Sequence, residues 1–248
     1  MIEALILDYG HTIVDFALDE QALLATYEEA RALLTAYAVA EVPSARTLVD
    51  QVSYRIGARI EDSYRHQDLE ELDILKEFEQ ALGALDLHVP PDLVRRIAAM
   101  EHRALAAETF LPPENAEALR ALRADGFRLG LVSNITLLGD LVREDLDHLG
   151  ILDLFDATVL SSEERLRKPH PAIYATVLGR LGIVGSAAIF AGDRLREDIG
   201  GPQQAGMRAV LTRQFRQEVP DPATPQPDAI IERLAELPAV ARTLREAR

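Results

Sequence analysis

Short apolar runs without polar alternation recur along the chain, and each ends in small or polar residues. Residues 4–7 run into Asp8, Tyr9 and Gly10, residues 128–132 into Ser133 and Asn134, and residues 157–160 into Ser161 and Ser162. Residues 187–191 run into Gly192 and Asp193, and residues 208–211 into Thr212. Such a run predicts a strand buried on both faces. Between the later runs lie helical patterns with glycine stops: 114–125 before Gly126, 140–149 before Gly150, 171–181 before Gly182 and 195–205 before Gly206. Strands alternating with helices predict an α/β fold, a Rossmann-like parallel sheet with helices on both faces.

The stretch from Leu18 to Ala107 has no strand-like run. Leu23, Tyr27, Ala30, Leu34 and Tyr37 form one helical stripe, and Val52, Ile56 and Ile60 a second. Ile74, Phe78, Ala81 and Leu85 form a third, and Leu93, Ile97, Met100 and Ala104 a fourth. Pro43-Ser44 and Pro90-Pro91-Asp92 supply helix starts. The pattern predicts an all-helical cap, residues 17–107, inserted after the first strand of a discontinuous core made of residues 1–16 and 108–248. Residues 219–228 are proline-rich and read as an exposed loop.

Composition narrows the function. With 248 residues, 48% of them hydrophobic, the chain can bury a substantial core. A net charge of −15 argues against nucleic acid and anionic lipid as partners. The absence of cysteine excludes disulfides, thiolate zinc sites and a cysteine nucleophile. No apolar run approaches the roughly 18 residues of a membrane span, so a cytoplasmic protein is expected; composition leaves monomer and homodimer equally open. All 26 basic residues are arginine except Lys76 and Lys168. A lysine surviving in so arginine-rich a chain invites the question whether its chemistry was required.

Ligands of open parallel sheets lie at the carboxyl ends of the strands. Those ends carry Asp8, Ser133-Asn134 and Asp193, with Lys168 opening the helix after the third run. Each alone reads as a turn, a cap or a solvated charge. Together they place a carboxylate, a hydroxyl, an ammonium and a second carboxylate at successive strand ends.

In that order they resemble the haloacid dehalogenase superfamily of hydrolases, in the branch whose helical cap follows the first strand. Asp8-Tyr9-Gly10-His11-Thr12 is similar to the first motif, Leu131-Val132-Ser133-Asn134 to the second, Lys168-Pro169-His170-Pro171 to the third, and Gly192-Asp193 with Asp198 to the fourth. The resemblance implies a magnesium-dependent phosphatase. Asp8 would be the nucleophile, forming an aspartyl-phosphate. Lys168 would be the cation between carboxylate and phosphate, and Ser133 would donate to a phosphate oxygen. Asp8, Asp193 and the Gly10 carbonyl would hold Mg2+, Asp198 would support Lys168 or metal-bound water, and Asn134 would orient the phosphate.

The departure from the pattern is Gly10. Phosphatases of this kind carry an aspartate there that protonates the leaving group and activates water, a contribution of about 10² to 10⁴ in rate. His11, adjacent and carrying an imidazole that can give and take a proton, is the candidate substitute at the substrate, with a solvated loop histidine as its bland alternative. Tyr9 reads as packed. Two other readings stay open: a 2-haloacid dehalogenase, and a phosphate-binding protein that has lost turnover. Arg55, Arg59, Arg65 and His66 in the insert are candidate leaving-group contacts, each equally readable as a solvated helix residue.

Overall fold

The computed structural model describes residues 1–37 and 41–246. Along the chain the elements are β1 (Ala4–Leu7), β2 (Asp15–Phe16), α1 (Glu20–Tyr37), α2 (Ala45–Leu48), a π-helical turn (Val49–Ser53), α3 (Tyr54–Arg65), α4 (Ile74–Gly83), α5 (Pro91–Ala106) and β3 (Thr109–Phe110). They continue with α6 (Pro113–Ala124), β4 (Arg128–Ser133), α7 (Gly139–His148), β5 (Ala157–Leu160), α8 (Ser161–Glu164), α9 (Pro171–Leu181) and β6 (Ala188–Gly192). A second π-helical segment (Leu195–Gly200) leads into α10 (Gly201–Gln204), β7 (Arg208–Thr212), β8 (Ala229–Ile231) and α11 (Leu237–Glu246).

The sheet has the order β5-β4-β1-β6-β7-β8, all pairs parallel. Its strands are apolar on both faces because both are covered. Leu5, Leu7, Leu129, Leu131 and Ile189 pack with Leu119 and Leu122 of α6, Val142 of α7 and Leu237 of α11. Ala4, Ile6, Val132, Val159 and Phe190 pack with Ile173, Tyr174 and Val177 of α9. Burying one such aliphatic side chain contributes about 1.5–3 kcal/mol. Leu7 pairs with Leu131 on one side and Ala191 on the other, so the next residues of the three central strands emerge at one edge.

Helices α1 to α5 form an inserted helical cap with its own core, in which Leu23, Tyr27, Leu34, Val52, Phe78 and Ile97 meet Leu138 and Leu141. Tyr37, the last residue of the first stripe, is exposed. The two-residue pairing of β2 with β3 brings together the segments that leave and re-enter the sheet. Ser44 caps α2 by accepting from the Thr47 N–H, and Pro90 precedes α5.

Two local expectations need correction. The helix expected over 195–205 begins as a π-helix. There Tyr174 donates its hydroxyl to the Glu197 carbonyl, and the Asp198 carboxylate accepts from the Asp193 and Arg194 N–H groups, so side chains replace regular helical bonds. Beyond the loop of residues 219–228, the edge strand β8 was not anticipated, its three residues being too short to show a period.

Inside the cap, Tyr27 donates to the buried carboxyl of Glu101. Burial pushes that carboxyl above its usual range, and hydrogen bonds from Tyr27 and Ser53 offset this only in part. A carboxyl whose folded pKa is raised stabilises the fold below its unfolded value, near 4.3, and loses that contribution as pH rises through the folded value. Glu101→Gln is therefore expected to melt with the parent near pH 4 and above it at pH 8. Thermal melts across that range check this; about 1 kcal/mol at the melting temperature would appear as roughly 2–4 °C.

Candidate active site

Asp8 leaves the end of β1 into a tight turn in which Ile13 and Val14 donate to the Tyr9 carbonyl. Its carboxylate Oδ1 accepts from the Lys168 ammonium at 2.7 Å, and the same ammonium donates to Asp198 Oδ1 at 2.7 Å. Thr12 bridges the turn after β1 to Asp193, its hydroxyl lying 3.5 Å from Asp8 Oδ2 and 3.3 Å from Asp193 Oδ1. Arg216 donates through Nε to the other Asp193 oxygen. Asp8, Asp193, Asp198 and Lys168 are all buried.

Electrostatics follow from that burial. Asp8 is pushed above the usual carboxylate range by desolvation, which the Lys168 charge relieves and Asp193 aggravates. Asp193 is raised by burial and by Asp198, against Arg216 and Lys168. Asp198 is raised by burial and by Asp8, against Lys168. Desolvation alone would lower the Lys168 ammonium, but Asp198 and Asp8 outweigh it and hold the charge in place. Three carboxylates face one ammonium and the Arg216 guanidinium, which leaves the cluster one positive charge short.

The other expected residues fall around this centre. Ser133, buried at the end of β4, lines the same cleft. Asn134, expected at the phosphate, spends both ends of its amide on Lys168: Nδ2 donates to the Lys168 carbonyl at 3.0 Å and Oδ1 accepts from the Lys168 N–H at 2.7 Å. It therefore positions the lysine. His11 lines the cleft with φ of 56°, its Nδ1 2.9 Å from Asp15 Oδ1. Tyr9 is buried edge-on against Phe16.

The cleft encloses about 600 Å³ between sheet and cap. Its polar end holds Asp8, Ser133, Lys168, Asp193, Arg194, Glu197 and Arg216, and its other walls include Phe16, Leu18, Leu105, Ala106, Ile135 and Leu137. The cap candidates Arg55, Arg59, Arg65 and His66 do not line it, which corrects the expectation from sequence. Arg55 and Arg59 border a separate groove where Arg59 pairs with Glu77, and Arg65 and His66 are exposed beside Asp62. They lie on faces of α3 and its C-terminus turned from the cleft, whereas Tyr64 faces it.

Tyr64, His102, Asp145, Arg194 and Arg216 escaped sequence reading. Arg194 adjoins Asp193 of the fourth motif and offered that signal. Tyr64, His102, Asp145 and Arg216 come from remote segments and offered none. Also unforeseen is the buried pair Arg167–Glu71, which with Ser63, Thr136 and Ser161 fastens the cap to the sheet domain.

Oxygen atoms from Asp8, Asp193 and Asp198 lie within 4.8 Å of one another. The donors are all hard oxygens, and their three charges outnumber the two cations of Lys168 and Arg216, so these residues fit a small divalent cation such as Mg2+. A family model described as haloacid dehalogenase-like hydrolase matches residues 2–206. The chain belongs to the haloacid dehalogenase-like hydrolase family. It is 31% identical over 221 residues to a glyceraldehyde 3-phosphate phosphatase of Methanopyrus kandleri, covering 82% of this chain and 93% of that one. A 2-haloacid dehalogenase structure from Pseudomonas syringae superposes with a TM-score of 0.65 at 25% identity, covering 98% of this chain and 99% of that one. A haloacid dehalogenase-type phosphatase structure from Thermococcus onnurineus gives a TM-score of 0.61 at 21% identity, covering 97% and 98%, a likeness of fold. The chain is thus a hydrolase whose curated relatives include phosphatases, and no helix among the described residues is long and apolar enough to cross a membrane.

Proposed function

We propose that the protein is a magnesium-dependent phosphatase acting on a small phosphorylated metabolite through an aspartyl-phosphate on Asp8, with residues 17–107 as the cap over a core of residues 1–16 and 108–248. The observation that carries this reading is the Lys168 ammonium shared by Asp8 and Asp198, with Asp193 close enough for one cation to meet the carboxylates. Asp8, Asp193 and the Gly10 carbonyl would hold the ion, which when bound neutralises charge between carboxylate and phosphate.

Asp8 attacks phosphorus, and the bond to the leaving oxygen breaks. Lys168 and Ser133 meet the phosphoryl oxygens, whose charge they stabilise. Water then attacks the phosphorus of the aspartyl-phosphate, releasing inorganic phosphate and restoring the carboxylate. Asp198 and Asn134 hold Lys168 in place throughout. With glycine at position 10, the departing oxygen takes its proton from water or from His11. Phosphate release from aryl phosphates, with magnesium and in excess chelator, tests the reading; full activity in chelator overturns it. A second reading, 2-haloacid dehalogenase, is favoured by Gly10 and by the likeness to the P. syringae structure, and halide release from a 2-haloacid tests it.

The missing acid has a measurable consequence. Aryl and acyl phosphates, whose leaving oxygens need little protonation, should outrun alkyl phosphates. Gly10 is not among the positive-φ residues, so an aspartate fits its backbone. The obstacle is Phe16, whose Cε2 lies 2.6 Å from where a Cβ would stand. The ring is part-exposed and can yield. Gly10→Asp combined with Phe16→Ala is expected to raise the alkyl-to-aryl ratio of kcat/KM about tenfold, and Gly10→Asp alone to raise it less.

A further inference from the structure

Two guanidinium groups line the cleft, and they differ in what they touch. Arg216 is committed to Asp193. The Arg194 guanidinium has neither ion pair nor side-chain hydrogen bond among the described residues; its contact is with the ring of Tyr64, 5.3 Å from the centroid. That ring also carries Arg167 at 4.5 Å, and the Tyr64 hydroxyl donates to the Asn134 carbonyl at 3.5 Å. The Arg194 N–H donates to Asp198, the residue that holds Lys168. Arg194 is thus held at both ends, by backbone to the catalytic cluster and by its side chain to the cap.

A half-buried guanidinium without an oxygen partner leaves strong, directional donors unused. Glu197 is its main counter-charge, but at longer range, and Glu197 Oε1 is 3.4 Å from Arg196. Location decides what the donors meet. The phosphoryl group belongs at Asp8, Ser133 and Lys168, at the sheet. Tyr64 comes from cap helix α3, so a guanidinium stacked on it lies on the cap side of the cleft, where the leaving group has to lie.

Resting on the phosphatase reading for the orientation of the ester, we infer that Arg194 is a specificity residue that binds a carboxylate carried by the leaving group. The substrates favoured are then compact phosphate monoesters of hydroxy acids, over neutral esters of the same size. Arginine suits a planar carboxylate because its donors form a fork, a match that lysine reproduces in charge but not in geometry.

The test compares two non-hydrolysable probes of equal shape, 3-phosphonopropionate and 3-phosphonopropanamide, titrated calorimetrically into the protein with magnesium. The parent is expected to bind the acid at least about tenfold more tightly than the amide. Arg194→Gln should bring that ratio close to one, and Arg194→Lys should leave it intermediate, with melting curves confirming that both variants fold. A parent ratio near one, no detectable binding of either probe, or a ratio that survives Arg194→Gln overturns the inference. Turnover is judged separately: acid preference lost in Arg194→Gln, without Asp8-dependent phosphate release from any ester, keeps the assignment of Arg194 and removes the phosphatase reading.

Discussion

Asp8→Asn is expected to lower phosphate release by at least about 10³-fold while raising the melting temperature. The loss follows from removing the proposed nucleophile, for which neighbouring groups do not substitute. The gain follows from the same geometry. Asp8 is buried and faces Asp193 across Thr12, and burial already pushes its carboxyl above the usual range. An amide of the same shape keeps an oxygen for Lys168, removes one negative charge from the cluster and avoids its desolvation. A relief of about 1 kcal/mol corresponds to roughly 2–4 °C in a chain of this size. Phosphate release and thermal melts of the two proteins measure both effects, and a variant that loses activity and also melts lower would show that the Asp8 carboxylate is a net stabilising element.

Lys168→Met is expected to have the largest effect on stability. Its ammonium is the cation that both Asp8 and Asp198 touch, and it is buried with them. Methionine preserves much of the side-chain volume and removes the charge, leaving buried carboxylates unpaired. Removing one partner of a buried pair costs about 3–5 kcal/mol, a large fraction of a typical domain's total of about 5–15 kcal/mol. Activity should fall about 10²-fold or more, because the phosphoryl charge loses its nearest fixed cation. Adding Asp198→Asn should restore part of the stability and none of the activity. Denaturant unfolding and phosphate release separate the two outcomes, and a double variant no more stable than Lys168→Met would show that charge imbalance is not what the lysine corrects.

The architecture and the grouping of the motif residues were legible in the chain before any tertiary contact was known. Runs such as residues 4–7 and 128–132 could only be buried strands, because apolar side chains on both faces must be covered. Motif residues then sat at strand ends by chain continuity alone, which is why Asp8, Ser133, Lys168 and Asp193 were legible and why the structure brings them to one cleft. Tertiary structure decided everything that depends on a contact between distant segments. It set the Asn134 amide against the Lys168 backbone, since an amide's partners are chosen by what packs beside it. It placed Tyr64 in the cleft and Arg65 outside it, because the orientation of α3 against the sheet settles which face of a helix meets the site. It also delivered Arg216 to Asp193 from the loop after β7, and docked the cap through Glu71 and Arg167. Periodicity reports which residues of an element are buried; it carries no information about which remote charge they are buried against.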